Sequence, residues 1–100
     1  MREAGLKSRI LTRLNAVAEA KAIGIHGGPH SIVGTPDIIG CYKGQAFALE
    51  VKVEGCAPTP AQMHQGALWC RAGAHVLVVR EDFDPRVFLR GIREEIEARS

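Results

Sequence analysis

Three charged residues sit where an antiparallel hairpin would ordinarily be apolar: Asp37, Glu50 and Lys52. Between them, Lys43-Gly44 has the composition of a two-residue turn, the glycine supplying a positive φ. With that turn Tyr42 pairs with Gln45, and counting back along both strands sets Asp37 opposite Glu50 on the same face. Directly opposed side chains in an antiparallel pair have Cβ atoms about 4.5–5.5 Å apart. Two carboxylates at that separation repel unless something positive lies between them. Two carboxylates, a backbone carbonyl and waters suit a hard, oxygen-seeking divalent ion such as Mg²⁺. Lys52, two residues beyond Glu50, projects from the same face beside that ion. Spacing alone fits a second reading equally well, in which Glu50 and Lys52 are a solvent-facing pair and Asp37 opens a turn.

The elements that must position these residues follow from periodicity. Leu6, Ile10, Leu14 and Val17, with Leu11 and Ala18 alongside, predict a helix over residues 5–20. Residues 21–26 read as a short strand. Residues 27–36, with three glycines and two prolines, read as a loop. Residues 37–42 and 46–53 are the two strands of the hairpin. On the second, Phe47, Leu49, Val51 and Val53 face a core, while Ala46, Ala48, Glu50 and Lys52 face the other way. Thr59 as N-cap, Pro60 at the first helical position and Gln62 three residues after the cap start a helix that runs to about residue 72 and stops at Gly73. The nearly continuous apolar run 74–79 reads as an interior strand. Asp84-Pro85 then starts a last helix, with Phe88, Ile92 and Ile96 four apart and Leu89 beside them. The order α-β-β-β-α-β-α, with an antiparallel meander followed by a right-handed crossover, predicts an α/β fold with one mixed four-stranded sheet flanked by helices.

Composition sets the outer bounds. In 100 residues, 46% hydrophobic and 24% charged is ordinary globular usage and argues against a disordered chain. One domain over residues 1–100 is expected. No apolar run approaches the roughly 18 residues of a membrane span, and the first residues lack the apolar stretch of a signal peptide, so a cytoplasmic protein with no membrane partner is expected. A net charge of +2 permits nucleic-acid binding without arguing for it. Cys41, Cys56 and Cys70 form neither a disulfide framework nor a C-x-x-C pair, which excludes a redox motif; they are expected as small buried hydrophobes.

An ordered series of motifs runs through the chain: His26-Gly27-Gly28, then Gly34-Thr35-Pro36-Asp37, twelve residues, Glu50-Val51-Lys52, and Thr59-Pro60-Ala61-Gln62. The middle pair resembles the PD-(D/E)xK nuclease motif, and the whole series, with Ala72-Gly73-Ala74-His75-Val76 entering the last strand, resembles the virus-type replication-repair nuclease (VRR-NUC) family over roughly residues 3–82. That resemblance implies a restriction-endonuclease-like fold and Mg²⁺- or Mn²⁺-dependent hydrolysis of DNA phosphodiesters, leaving a 5′-phosphate and a 3′-hydroxyl. It implies a structure-selective enzyme acting on Holliday junctions or other branched DNA, a homodimer, and a gene carried by a phage or bacterium.

Carried onto this chain, Asp37, Glu50 and the Val51 carbonyl would bind the metal. Lys52 would orient the attacking water, stabilise charge on the phosphoryl oxygens, or serve as the base. Gln62 has two readings, as half of a capping box with Thr59 and as the family's helix-start glutamine beside the site. An acid of the first helix reaches the metal in the family, and Glu3 fits that place better than Glu19. Contacts to DNA phosphate are expected from the backbone N–H groups of Gly27 and Gly28, aided by His26 and joined by Lys43. His26 and His30 lie four apart in a loop with no paired cysteines, which does not make a zinc site. Trp69 and Phe88 are the expected dimer contacts. The competing class is a non-catalytic DNA-binding or assembly module that kept the fold; intact Asp37, Glu50, Lys52 and Gln62 argue against it.

Overall fold

The computed structural model describes residues 2–100 as seven elements: α1 (Glu3–Asn15), β1 (Ala20–Gly24), β2 (Ile38–Tyr42), β3 (Gln45–Val51), α2 (Pro60–Arg71), β4 (His75–Val79) and α3 (Pro85–Ala98). Lys43 (φ 49°) and Gly44 (φ 82°) both have positive φ, as in a type I′ turn whose twist matches that of the flanking strands. This turn aligns Tyr42 with Gln45 and Ile38 with Leu49. β1 pairs antiparallel with β2 and β3 pairs parallel with β4, in the order β1-β2-β3-β4. The expected α/β, restriction-endonuclease-like αβββαβα core with a mixed four-stranded sheet is therefore the fold observed.

One face of the sheet carries the main core. Leu6, Ile10 and Leu14 of α1 and Leu89 and Ile92 of α3 pack with Ile38, Phe47, Leu49 and Val51. Phe88 adds an aromatic cluster, edge-on to Phe47 at 5.5 Å and beside Phe83 at 5.6 Å. Phe88, expected as a dimer contact, packs in part within its own fold and is half-buried. α2 lies on the opposite face over β3 and β4. That face of β1 and β2 is left uncovered, with Ile23 53% exposed and Cys41 exposed beside it. Cys56, in the loop after β3, and Cys70, on α2 itself, are exposed as well, so the expectation of buried cysteines is corrected: α2 covers only β3 and β4 and leaves Cys41 open, and the other two stand outside the sheet.

α1 also ends five residues earlier than its apolar periodicity predicts. The Asn15 side chain clasps β1, donating to the Ala22 carbonyl at 3.0 Å and accepting from the Ala22 N–H at 2.9 Å. Glu19, at φ 69°, turns the chain into β1. Val17 still packs on the core, from the turn rather than from the helix. Among the described residues no helix is long and apolar enough to cross a membrane.

Candidate active site

The hairpin register, continued one step past Ile38 and Leu49, puts Asp37 opposite Glu50 as counted from the turn. Two carboxylates from adjacent strands meet at the open end of the hairpin. Asp37 is anchored there by accepting the Val51 N–H on Oδ2 at 2.8 Å. Its own carbonyl accepts from the Ile25 N–H at 2.7 Å, tying the end of β1 to the same point.

Val51 is placed by ladder geometry. The neighbouring Lys52 N–H donates to the Val79 carbonyl at 3.0 Å, so Lys52 turns its N–H toward β4. Polar backbone groups alternate in direction along a strand, so the N–H and C=O of Val51 face β2. The N–H is taken by Asp37. The residue opposite the carbonyl in the continued register is Pro36, which has no N–H to give. The Val51 carbonyl therefore has no cross-strand donor and stays available beside the two carboxylates. This function of Pro36 is invisible to spacing, because it depends on the direction of the ladder.

Gln62 makes a cap contact and a contact to Glu50 at once. Its Oε1 accepts the Thr59 N–H at 2.8 Å while Thr59 Oγ1 accepts the Gln62 N–H at 3.2 Å, completing the capping box of α2. With the amide oxygen held by the cap, the NH₂ group is aimed at the sheet and donates to Glu50 Oε1 at 2.7 Å. Gly34 joins the preceding loop to this helix start. At φ +87° it lies so close to α2 that a Cβ would collide with the Ala61 carbonyl and approach the Gln62 nitrogen to 2.8 Å. In the sequence Gly34 stands out only as the first residue of Gly34-Thr35-Pro36-Asp37, a glycine three residues before an acid.

Glu50 is 7% exposed. Burial, then the hydrogen bond with Asp37 and the Asp37 charge, push its pKa from 4.5 up to about 8; Lys52 acts in the opposite sense and Glu3 adds slightly to the rise. Burial and the facing Asp37 thus favour the protonated form of Glu50 when no cation is bound. A divalent cation bound there would replace that proton. The donor set is all oxygen, two carboxylates and a free backbone carbonyl, and so fits Mg²⁺ or Mn²⁺ rather than a soft metal. Among the described residues no third His, Cys, Asp or Glu completes a ready-made cluster, so waters and phosphate oxygens would fill the remaining positions.

The other expected site residues divide by location. Lys52 and Glu3 are half-buried, and both charges act on Glu50. Glu19 pairs with Lys43 at 3.5 Å at the turn end of the hairpin. Lys43 is six residues from Asp37 in sequence, roughly 20 Å at about 3.3 Å per residue. The structure does not bring Lys43 to the site, because the length of β2 separates it from Asp37. Gly27 and Gly28 line a cavity of about 320 Å³ that opens on Asp37. The Gly28 N–H is already donated to Ser31 Oγ at 2.7 Å, which corrects its expected use toward phosphate. His26 is exposed. On the other side of Glu50, a cleft of about 350 Å³ runs between α2 and the sheet over Ala48, Met63, Val76 and Val78.

No family model and no curated protein matches the chain. Solved structures do. One described as a VRR-NUC domain is 23% identical, with a TM-score of 0.65 over 95% of this chain and 94% of the other. A VRR-NUC domain protein is 14% identical, with a TM-score of 0.65 over 97% and 89%. Hjc, a Holliday junction resolvase from the archaeal hyperthermophile Archaeoglobus fulgidus, is 21% identical, with a TM-score of 0.59 over 80% and 69%. The chain has the fold of a VRR-NUC domain.

Proposed function

We propose that the chain is a metal-dependent DNA endonuclease of the PD-(D/E)xK type, its 100 residues forming one VRR-NUC domain that cuts branched DNA in the cytoplasm of a bacterial cell. The observation that carries this reading is the face-to-face placement of Asp37 and Glu50 at the open end of the hairpin, with Lys52 beside them. Asp37, Glu50 and the Val51 carbonyl would hold Mg²⁺ or Mn²⁺. When bound, the metal would polarise the scissile phosphate and acidify a water. Lys52 orients the attacking water and offsets charge on the phosphoryl oxygens. Gln62 holds Glu50 in register, and Glu3 borders the site as a further acid. His26 and the N–H of Gly27 meet the DNA backbone. Attack in line with the leaving oxygen yields a 5′-phosphate and a 3′-hydroxyl.

The choice of branched DNA is supported by the shared fold with a Holliday junction resolvase. Symmetric cutting of a junction needs two sites, and a two-fold homodimer supplies them. The test is incubation of the purified protein with labelled duplex, flap, splayed and four-way DNAs, with and without Mn²⁺. Metal-dependent cleavage of the branched substrates is expected. Binding without cleavage in either metal would instead identify a non-catalytic module.

A further inference from the structure

The loop that leads into Asp37 has an apolar tip. Ile32 is 66% exposed and Val33 79% exposed. Two consecutive turns hold them outward. The Ser31 N–H donates to the Gly28 carbonyl at 3.0 Å and the Gly28 N–H to Ser31 Oγ at 2.7 Å, closing the first. The Ile32 carbonyl accepts from the Thr35 N–H at 3.3 Å and from Thr35 Oγ1 at 2.7 Å, closing the second. Val33 and Gly34 are the central residues of that second turn, and the Gly34 φ of +87° is the one a type II turn needs. Gly34 is in turn seated against the backbone of α2. The tip is braced from both ends, and neither aliphatic side chain can fold back onto the core.

The position of this tip indicates what it meets. Ile32, Val33 and Asp37 line the same cavity of about 320 Å³. Ile25 lines it too, and its carbonyl accepts from Lys7 Nζ at 2.7 Å. His26 and His30 are exposed on the same loop. DNA is the polymer that the nuclease reading brings to this cavity, and the apolar surface that DNA can offer two aliphatic side chains is the face of a base. Base faces are covered in continuous duplex and open where stacking is interrupted. Aliphatic wedges inserted at base steps are a known means of exploiting such points.

We propose that Ile32 and Val33 form a wedge that packs against nucleobases unstacked at a branch or fork, and that this contact selects branched over continuous duplex DNA. The proposal rests on the nuclease reading above. Its test compares wild type with the double variant Ile32→Ser/Val33→Ser and with the apolar control Ile32→Leu/Val33→Ile. One readout is the fluorescence of 2-aminopurine placed at the branch of a forked DNA, with Ca²⁺ in place of Mg²⁺. The other is the ratio of kcat/KM on forked to duplex DNA with Mg²⁺. Wild type and the apolar control should raise the fluorescence. The serine pair should fail to do so and should lower the ratio about tenfold, leaving duplex cleavage unchanged. A serine pair with wild-type fluorescence and ratio overturns the wedge alone. A wild-type protein that cuts no DNA in Mg²⁺ or Mn²⁺ overturns the nuclease reading beneath it.

Discussion

Asp37 and Glu50 face each other across two strands, and the cost of that arrangement appears in how Glu50 titrates. Its folded pKa of about 8 lies above the ordinary 4.5, chiefly through burial and the neighbouring Asp37. Between those values the folded chain keeps a proton that the unfolded chain has released. The contribution of the Glu50 proton to metal-free stability is therefore fully present below about pH 4.5 and is lost as pH rises through about 8. Urea unfolding across this range should show that fall, and Glu50→Gln should flatten it; an identical slope in the variant would remove Glu50 as its source. Lys52 is tested separately. Lys52→Ala should keep metal and DNA binding yet lose most hydrolysis, and Lys52→Arg should not restore it, because a planar guanidinium does not replace a compact ammonium. Titration calorimetry and cleavage rates on one preparation check both statements; a fully active Lys52→Ala would move that residue to the surface. The opposition of the two acids was legible in the sequence, since a two-residue turn determines every pairing behind it. The freeing of the Val51 carbonyl by Pro36 was not, since it follows from which way the ladder points.

At the scale of elements, the start of α2 carries two tasks in one side chain, and these can be separated. Thr59→Ala removes the hydroxyl that caps Gln62 N–H and should cost about 0.5–2 kcal/mol of stability while activity largely survives. Gln62→Ala removes the contact to Glu50 as well, so it should lower cleavage beyond any loss of stability. Chemical denaturation alongside cleavage rates distinguishes them; equal activity in the two variants would reduce Gln62 to a cap. This helix start was legible because Thr59, Pro60 and Gln62 each carry a local, position-specific signal. The end of α1 was not. Its apolar spacing continues to Val17, and only the Asn15 clasp onto Ala22 and the turn at Glu19 stop the helix. The exposure of Cys41 was hidden for a related reason: the coverage of a sheet face depends on where a single helix lands, which local pattern does not carry.

At the scale of the whole molecule, each chain offers one Asp37–Glu50 pair, so symmetric junction cutting requires two chains. Light scattering at assay concentration should give twice the 10.8 kDa mass of the chain; a stable monomer would remove the dimer and the symmetric cut with it. The sheet order and the two-sided packing were legible from the alternation of strand and helix signals, whereas the surface available for pairing was not, because local pattern does not say how much of a side chain such as Phe88 its own core takes up. The central claim, that Asp37 and Glu50 form a metal-dependent phosphodiester-cutting site, is tested most directly by one cleavage measurement. Wild type, Asp37→Asn and Glu50→Gln, each verified as folded by its melting temperature, are incubated with labelled four-way and forked DNA in Mg²⁺, in Mn²⁺ and in chelator. Wild type should cut only with metal, leaving 5′-phosphate ends, while both variants should be inactive with melting temperatures level with or above wild type in the absence of metal. Cleavage by either variant at near wild-type rate, or a folded wild type that cuts nothing in either metal, would contradict it.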